Sequence, residues 1–157
     1  MLLTDGRWTG RGRYLFHGQS LGIGVQTQFR VTSDDHGLHV EGSLDAQQQP
    51  SREFALRVVP DDTGLFEMTA QGFGPALQGT AKLASEPNMG MLWADAVDRQ
   101  VSFSVFAVPD GYGCRGFARD ESGLITWELS LRLEGAQTGR GPSPNKTNVV
   151  SLRPRRS

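Results

Sequence analysis

The sequence is nearly without cysteine. Cys114 is the single one among 157 residues, which excludes an internal disulfide and a multi-thiolate metal site and suits a reducing compartment. Long apolar runs are missing too. Nothing approaches the ~18 residues of a membrane helix, and the opening MLLTDGRWTG has neither a basic n-region nor an apolar h-region. A cytoplasmic chain with no transmembrane segment is therefore expected. Acid is absent from the C-terminal end: all 17 Asp and Glu fall within residues 1–134, beside 11 Lys and Arg, for a net charge of −6. Residues 135–157 carry five basic residues and no acidic one. An acidic body excludes nucleic acid as a partner of the folded part. The last stretch, rich in Gly, Pro, Ser and Asn, reads as a flexible basic tail. Two segments follow: a folded domain over 1–134 and a tail over 135–157. Oligomeric state is left open.

Helical periodicity is scarce, and alternation at period two takes its place. Ile125, Trp127, Leu129, Leu131 and Leu133 are apolar, whereas Thr126, Glu128, Ser130, Arg132 and Glu134 between them are not. Only a strand puts those five on one face. Val25, Phe29 and Val31, Leu38 and Val40, and Phe54, Leu56 and Val58 alternate in the same way. Turn chemistry separates the runs: Asp34-Asp35-His36-Gly37, Pro60-Asp61-Asp62-Thr63-Gly64, Pro109-Asp110-Gly111 and Arg119-Asp120-Glu121-Ser122-Gly123 each pair a reversal-forming residue with a glycine. Ten strands are predicted, near 7–16, 23–33, 36–45, 52–59, 64–71, 76–84, 89–96, 99–108, 112–119 and 123–134. Short connections favour a meander over Greek-key crossings, and closing the sheet removes both exposed edges. The expected fold is all-β, a single antiparallel up-and-down barrel; a two-sheet sandwich would need a longer crossover than the chain offers.

Gly6-Arg7-Trp8-Thr9-Gly10-Arg11-Gly12 resembles the G-x-W opening of the calycin superfamily, which includes lipocalins and fatty-acid-binding proteins. It is closer still to the G-x-W-x-G-x-G opening of nitrobindin-like haem barrels. The resemblance implies a lipocalin-like barrel in which Trp8 closes one end and stacks on a basic residue of the last strand, here Arg132, latching first strand to last. Nitrobindin-like proteins hold haem iron through a histidine from the C-terminal part of the barrel. His17, His36 and His39 all precede residue 40, so that ligand is absent and no cofactor is expected.

The barrel interior is the first candidate site. By pattern Phe29, Phe54, Met91, Trp93, Phe103, Trp127 and Leu129 line it, an aromatic and thioether surface suited to a small apolar or amphipathic molecule. Asp95, on the parity of Met91 and Trp93, and His17, in a rim loop, are the candidate proton carriers should the barrel be an enzyme of isomerase or cyclase type. His36, His39 and Glu41 read as a solvated hairpin, and no metal is expected. Three functions stand in order: a small-molecule-binding barrel, an enzyme using the same cavity, and a module acting through the basic tail.

Overall fold

The computed structural model describes residues 3–135. These form ten strands: β1 Gly6–Phe16, β2 Ile23–Asp34, β3 Gly37–Ala46, β4 Arg52–Pro60, β5 Phe66–Gln71, β6 Leu77–Lys82, β7 Asn88–Ala94, β8 Arg99–Val108, β9 Gly111–Asp120 and β10 Gly123–Leu133. Each pairs antiparallel with its sequence neighbour, and β1 pairs with β10 to close the barrel. The meander read from the sequence is the observed topology. The expected tail lies almost wholly outside the described residues.

Turn residues behave as their chemistry dictates. In the β4–β5 turn the Asp61 carboxylate accepts from the Thr63 N–H at 2.8 Å and the Leu65 N–H at 2.9 Å, while Gly64 takes φ +85°, a left-handed backbone that side chains rarely adopt. Asp34 accepts from the His36 N–H at 2.7 Å in the β2–β3 turn. That hydrogen bond, with smaller help from the nearby histidines, keeps the Asp34 carboxyl below its usual value.

A meander alternates direction, so the turns divide between two ends. At one end lie the β2–β3, β4–β5, β6–β7 and β8–β9 turns, together with the exit of β10. Inward side chains buried there include Trp8, Val31, Leu38, Val58, Met68 and Leu131, while Phe66, Val105, Tyr112 and Leu133 are half-buried. Trp8 packs its ring against Phe29, with centroids 6.3 Å apart and planes within 4°, and against Tyr112 at 5.8 Å, and its indole N–H donates to the Thr4 carbonyl at 2.9 Å. Around Trp8 this end is closed by the packed core cluster. At the other end, where the β1–β2, β3–β4, β5–β6, β7–β8 and β9–β10 turns lie, many inward side chains stay half-exposed: Tyr14, Phe16, Phe54, Val101, Ala118, Ile125 and Trp127.

Two expectations about the wall are corrected. Arg132 does not meet Trp8. In the β1–β10 register Trp8 lies opposite Leu133, and Arg132 opposite Thr9. Neighbouring positions point to opposite faces, so Trp8 enters the core while Arg132 stands outside, 3.7 Å from Asp110. The second correction concerns β7. Its inward residues are Asn88, Gly90, Leu92 and Ala94, all buried, whereas Met89 and Met91 on the outer face are 48% and 54% exposed. Trp93 shares that outer parity. The cause lies on the next strand: Gly90 pairs with Phe103, whose ring would come within 2.5 Å of a Cβ at position 90. Only glycine leaves room for that ring, so the even-numbered residues of β7 face inward. β7 also ends two residues early, because Asp95–Val97 form a single 3-10 turn followed by Asp98 in left-handed backbone.

Candidate ligand-binding site

The partly open end is built from strands whose inner faces carry aromatic side chains beside small residues. Phe103 on β8 lies over Gly90, and Trp127 on β10 lies over Gly116, where a Cβ would sit 2.3 Å from the indole. Each large ring thus rests on a neighbour that has no side chain. Leu129, opposite Gly12 and Cys114, continues the lining inward and packs against the buried core. Phe29 and Phe54 meet at 6.4 Å, linking the sealed half to the half-exposed half. Of the sequence-predicted lining, then, Phe29, Phe54, Phe103, Trp127 and Leu129 face inward, and Met91 and Trp93 do not.

The candidate proton carriers lie elsewhere. Asp95 is exposed in the 3-10 turn, so its carboxyl does not enter an apolar interior. His17 is exposed in the β1–β2 turn, where its backbone N–H donates to the Leu124 carbonyl at 2.9 Å. Among the described residues no three His, Cys, Asp or Glu side chains come together as metal ligands. His39 stands 3.5 Å from Asp34 on the outer wall.

Several groups at this end were not singled out from the sequence. Phe73, in the loop between β5 and β6, stacks on Phe54 with centroids 5.4 Å apart, so the loop leans over the half-exposed interior. A side chain of β8 holds it there: the Arg99 guanidinium donates to the Phe73 carbonyl and, at 2.6 Å, to the Asp120 carboxylate of β9. Its signal in the sequence is an aromatic residue between two glycines, Gly72 and Gly74, in an otherwise short turn. Arg52 and Tyr14 share the inward parity of β4 and β1. The signal for Arg52 is alternation continued backwards from Phe54.

Ionisation at this end follows from burial and contacts. Burial pushes the Tyr14 hydroxyl up to about 12, offset in part by the charge of Arg52. Burial also raises the Cys114 thiol, against a smaller opposing effect from the Trp127 indole N–H donating to its sulfur; a thiol kept protonated is a poor nucleophile. Asp120 is held down at about 2, chiefly by the Ser122 hydroxyl and next by Arg99. A depressed carboxylate contributes stability that is complete above its unfolded value of 3.8 and disappears as pH falls through about 2. The stability difference between the wild type and Asp120→Asn is accordingly expected to be constant from neutral pH to about pH 4 and to shrink toward pH 2. Urea unfolding across that range measures it, and a difference independent of pH would show that Asp120 contributes through shape alone.

Two open depressions, of about 450 and 440 Å³, lie away from this lining, one beside Arg11, Gln26 and Asp45 and one beside Pro87, Ser104 and Phe106. No helix of the described residues is long and apolar enough to cross a membrane.

The closed ten-strand antiparallel meander defines an all-β up-and-down barrel, the architecture lipocalins have. Against known proteins, no family model matches the chain and no curated protein matches it in sequence. Among solved structures it is similar to the S-type phycobiliprotein lyase CPES from Guillardia theta, with a TM-score of 0.60 and 10% identity, over 85% of this chain and 90% of that one. At that identity the likeness is one of fold.

Proposed function

We propose that this barrel binds a small apolar or amphipathic molecule at its partly open end, cupped by Phe54, Phe73, Phe103, Trp127 and Leu129. One observation carries the reading: at this end the inward-facing Tyr14 and Phe16 of β1, Val101 of β8, Ala118 of β9, and Ile125 and Trp127 of β10 remain half-exposed. Apolar surface on a concave inner wall still meets water, and covering it gains about 25 cal/mol per Å². The fold neighbour, a phycobiliprotein lyase by name, agrees with a barrel of this shape handling a small molecule. Catalysis would need an inward group that titrates near neutral pH. Tyr14 and Cys114 are raised by burial and Asp120 is held low, so binding is the better-supported use of the same surface.

Uptake of N-phenyl-1-naphthylamine, a neutral apolar fluorophore, tests this. The wild type is expected to bind it with a blue-shifted emission. Ala118→Trp, which fills the inner wall between Val101 and Ile125, should weaken binding at least tenfold, about 1.4 kcal/mol or more. Thr126→Trp, on the outer face, should leave it unchanged. A folded wild-type barrel that takes up no fluorophore would overturn the proposal.

A further inference from the structure

We infer that the ligand is an amphipathic anion, whose apolar body lies along the aromatic lining and whose single negative group is read by Arg52 and the Tyr14 hydroxyl at the rim. This deepens the binding proposal above and rests on it. The argument begins with the inner face as a whole. Across all ten strands only three charged side chains occupy inward positions: Arg52 at the start of β4, Arg99 at the start of β8 and Asp120 at the end of β9. All three lie at the partly open end.

Two of them cancel. Arg99 and Asp120 are in contact at 2.6 Å, and the remaining donor capacity of Arg99 is used on the Phe73 carbonyl. Arg52 has no such partner: among the described residues it forms no ion pair and no side-chain hydrogen bond. The inner face therefore carries one uncompensated positive charge, two residues along β4 from Phe54.

Tyr14 adds the second donor. Its side chain points inward from β1 and is half-buried, its hydroxyl has no hydrogen-bond partner among the described residues, and the Arg52 charge reaches it. A phenol that stays protonated at every physiological pH is a donor to an anion, and a guanidinium on the inward face at the same end of the barrel supplies charge and a planar fork. A neutral apolar ligand would leave both donors idle beside a greasy wall. An oxyanion with an apolar body uses both, which is why the chemistry points to an amphipathic carboxylate or a similarly charged molecule.

A matched pair of probes separates this inference from the reading beneath it. N-phenyl-1-naphthylamine and 8-anilino-1-naphthalenesulfonate share a ring system and differ by one sulfonate. The wild type is expected to bind the sulfonate about two- to fivefold more tightly, roughly what one exposed charge-assisted contact supplies. Arg52→Gln should erase that preference while leaving the neutral probe unchanged, and Tyr14→Phe should reduce it in part. Arg57→Gln, on the outer face of the same strand, should alter neither. Equal affinity for the two probes, or an Arg52→Gln variant that keeps the preference, overturns the anion inference and leaves the binding site standing. Failure of both probes to bind removes the site itself.

Discussion

Trp8→Ala is expected to lower the free energy of unfolding by about 3–5 kcal/mol, the range for emptying a buried aromatic site, whereas Arg132→Ala should change it by less than about 1 kcal/mol. The contrast follows from register. A tryptophan latched to an arginine of the last strand would lose its partner in either variant, so both would be costly. Here Trp8 is 3% exposed, stacked on Phe29 and against Tyr112, with its N–H satisfied by Thr4. Arg132 sits outside the wall, in a solvent-exposed pairing with Asp110. Removing the indole leaves a void at the sealed end that Val31 and Leu131, fixed in their strands, fill only in part. Removing the guanidinium exposes nothing. Denaturant unfolding followed by far-ultraviolet circular dichroism measures both, since the substitution removes one fluorophore; losses of similar size would restore the latch.

That correction shows where alternation can be read from a sequence and where it cannot. On β10 the outward residues Thr126, Glu128, Ser130 and Arg132 are polar, so the inward face of Ile125, Trp127, Leu129, Leu131 and Leu133 is unambiguous. On β7 both faces are apolar, with Met89, Met91 and Trp93 on one and Leu92 and Ala94 on the other. Composition cannot choose between them; the neighbouring strand does, because Phe103 needs the space above Gly90. The larger side chains go outward, and the smaller ones make room. The Trp8–Arg132 latch fails for another reason: it is implied by the family resemblance, whereas alternation on β10 by itself sets Arg132 on the polar outer face, and the register confirms it by pairing Trp8 with Leu133. The candidate site was legible to the same degree. Phe29, Phe54, Phe103, Trp127 and Leu129 follow from parity on strands with one polar face, whereas Phe73 belongs to a loop, where parity has no meaning.

The wall also exposes apolar surface outward. Met91 lies opposite Ser102, which lies opposite Phe117, and Thr126 continues the row to Leu15. Met91, Phe117 and Leu15 are each more than 40% exposed. The small Ser102 and Thr126 between them keep this from becoming a continuous apolar strip, in line with the limited patch size of soluble surfaces. The larger β7 side chains, Met89, Met91 and Trp93, are thus carried on the outside, and the inner face keeps Gly90 and Ala94 beside Leu92. This exchange is what leaves Phe103 free to lean inward over Gly90.

Gly12→Ala is expected to destabilise the barrel by about 3 kcal/mol or more, at or beyond the upper end of the usual cost of overpacking. An ideal Cβ at position 12 would stand 1.8 Å from the Glu128 carbonyl oxygen and 2.8 Å from the Leu129 Cα. Both are backbone atoms of β10, so no rotamer change relieves the clash and the two strands must separate. Those strands form the closing seam, where Gly12 pairs with Leu129, and parting them strains hydrogen bonds along the ladder. Gly24→Ala provides the comparison: its nearest atoms belong to the flexible end of the Gln47 side chain, at 3.2 Å, and its expected cost is within about 0.5 kcal/mol. Thermal unfolding of the two variants distinguishes close strand approach from the general loss of a glycine, and equal midpoints would refute the backbone contact. Because Leu129 and Trp127 belong to the segment that would move, a Gly12→Ala protein that still folds should also bind N-phenyl-1-naphthylamine less tightly, while Gly24→Ala binds as the wild type does. Seam and site are then one construction: the glycine that lets the first strand lie against the last also sets the position of the wall on which the proposed ligand rests.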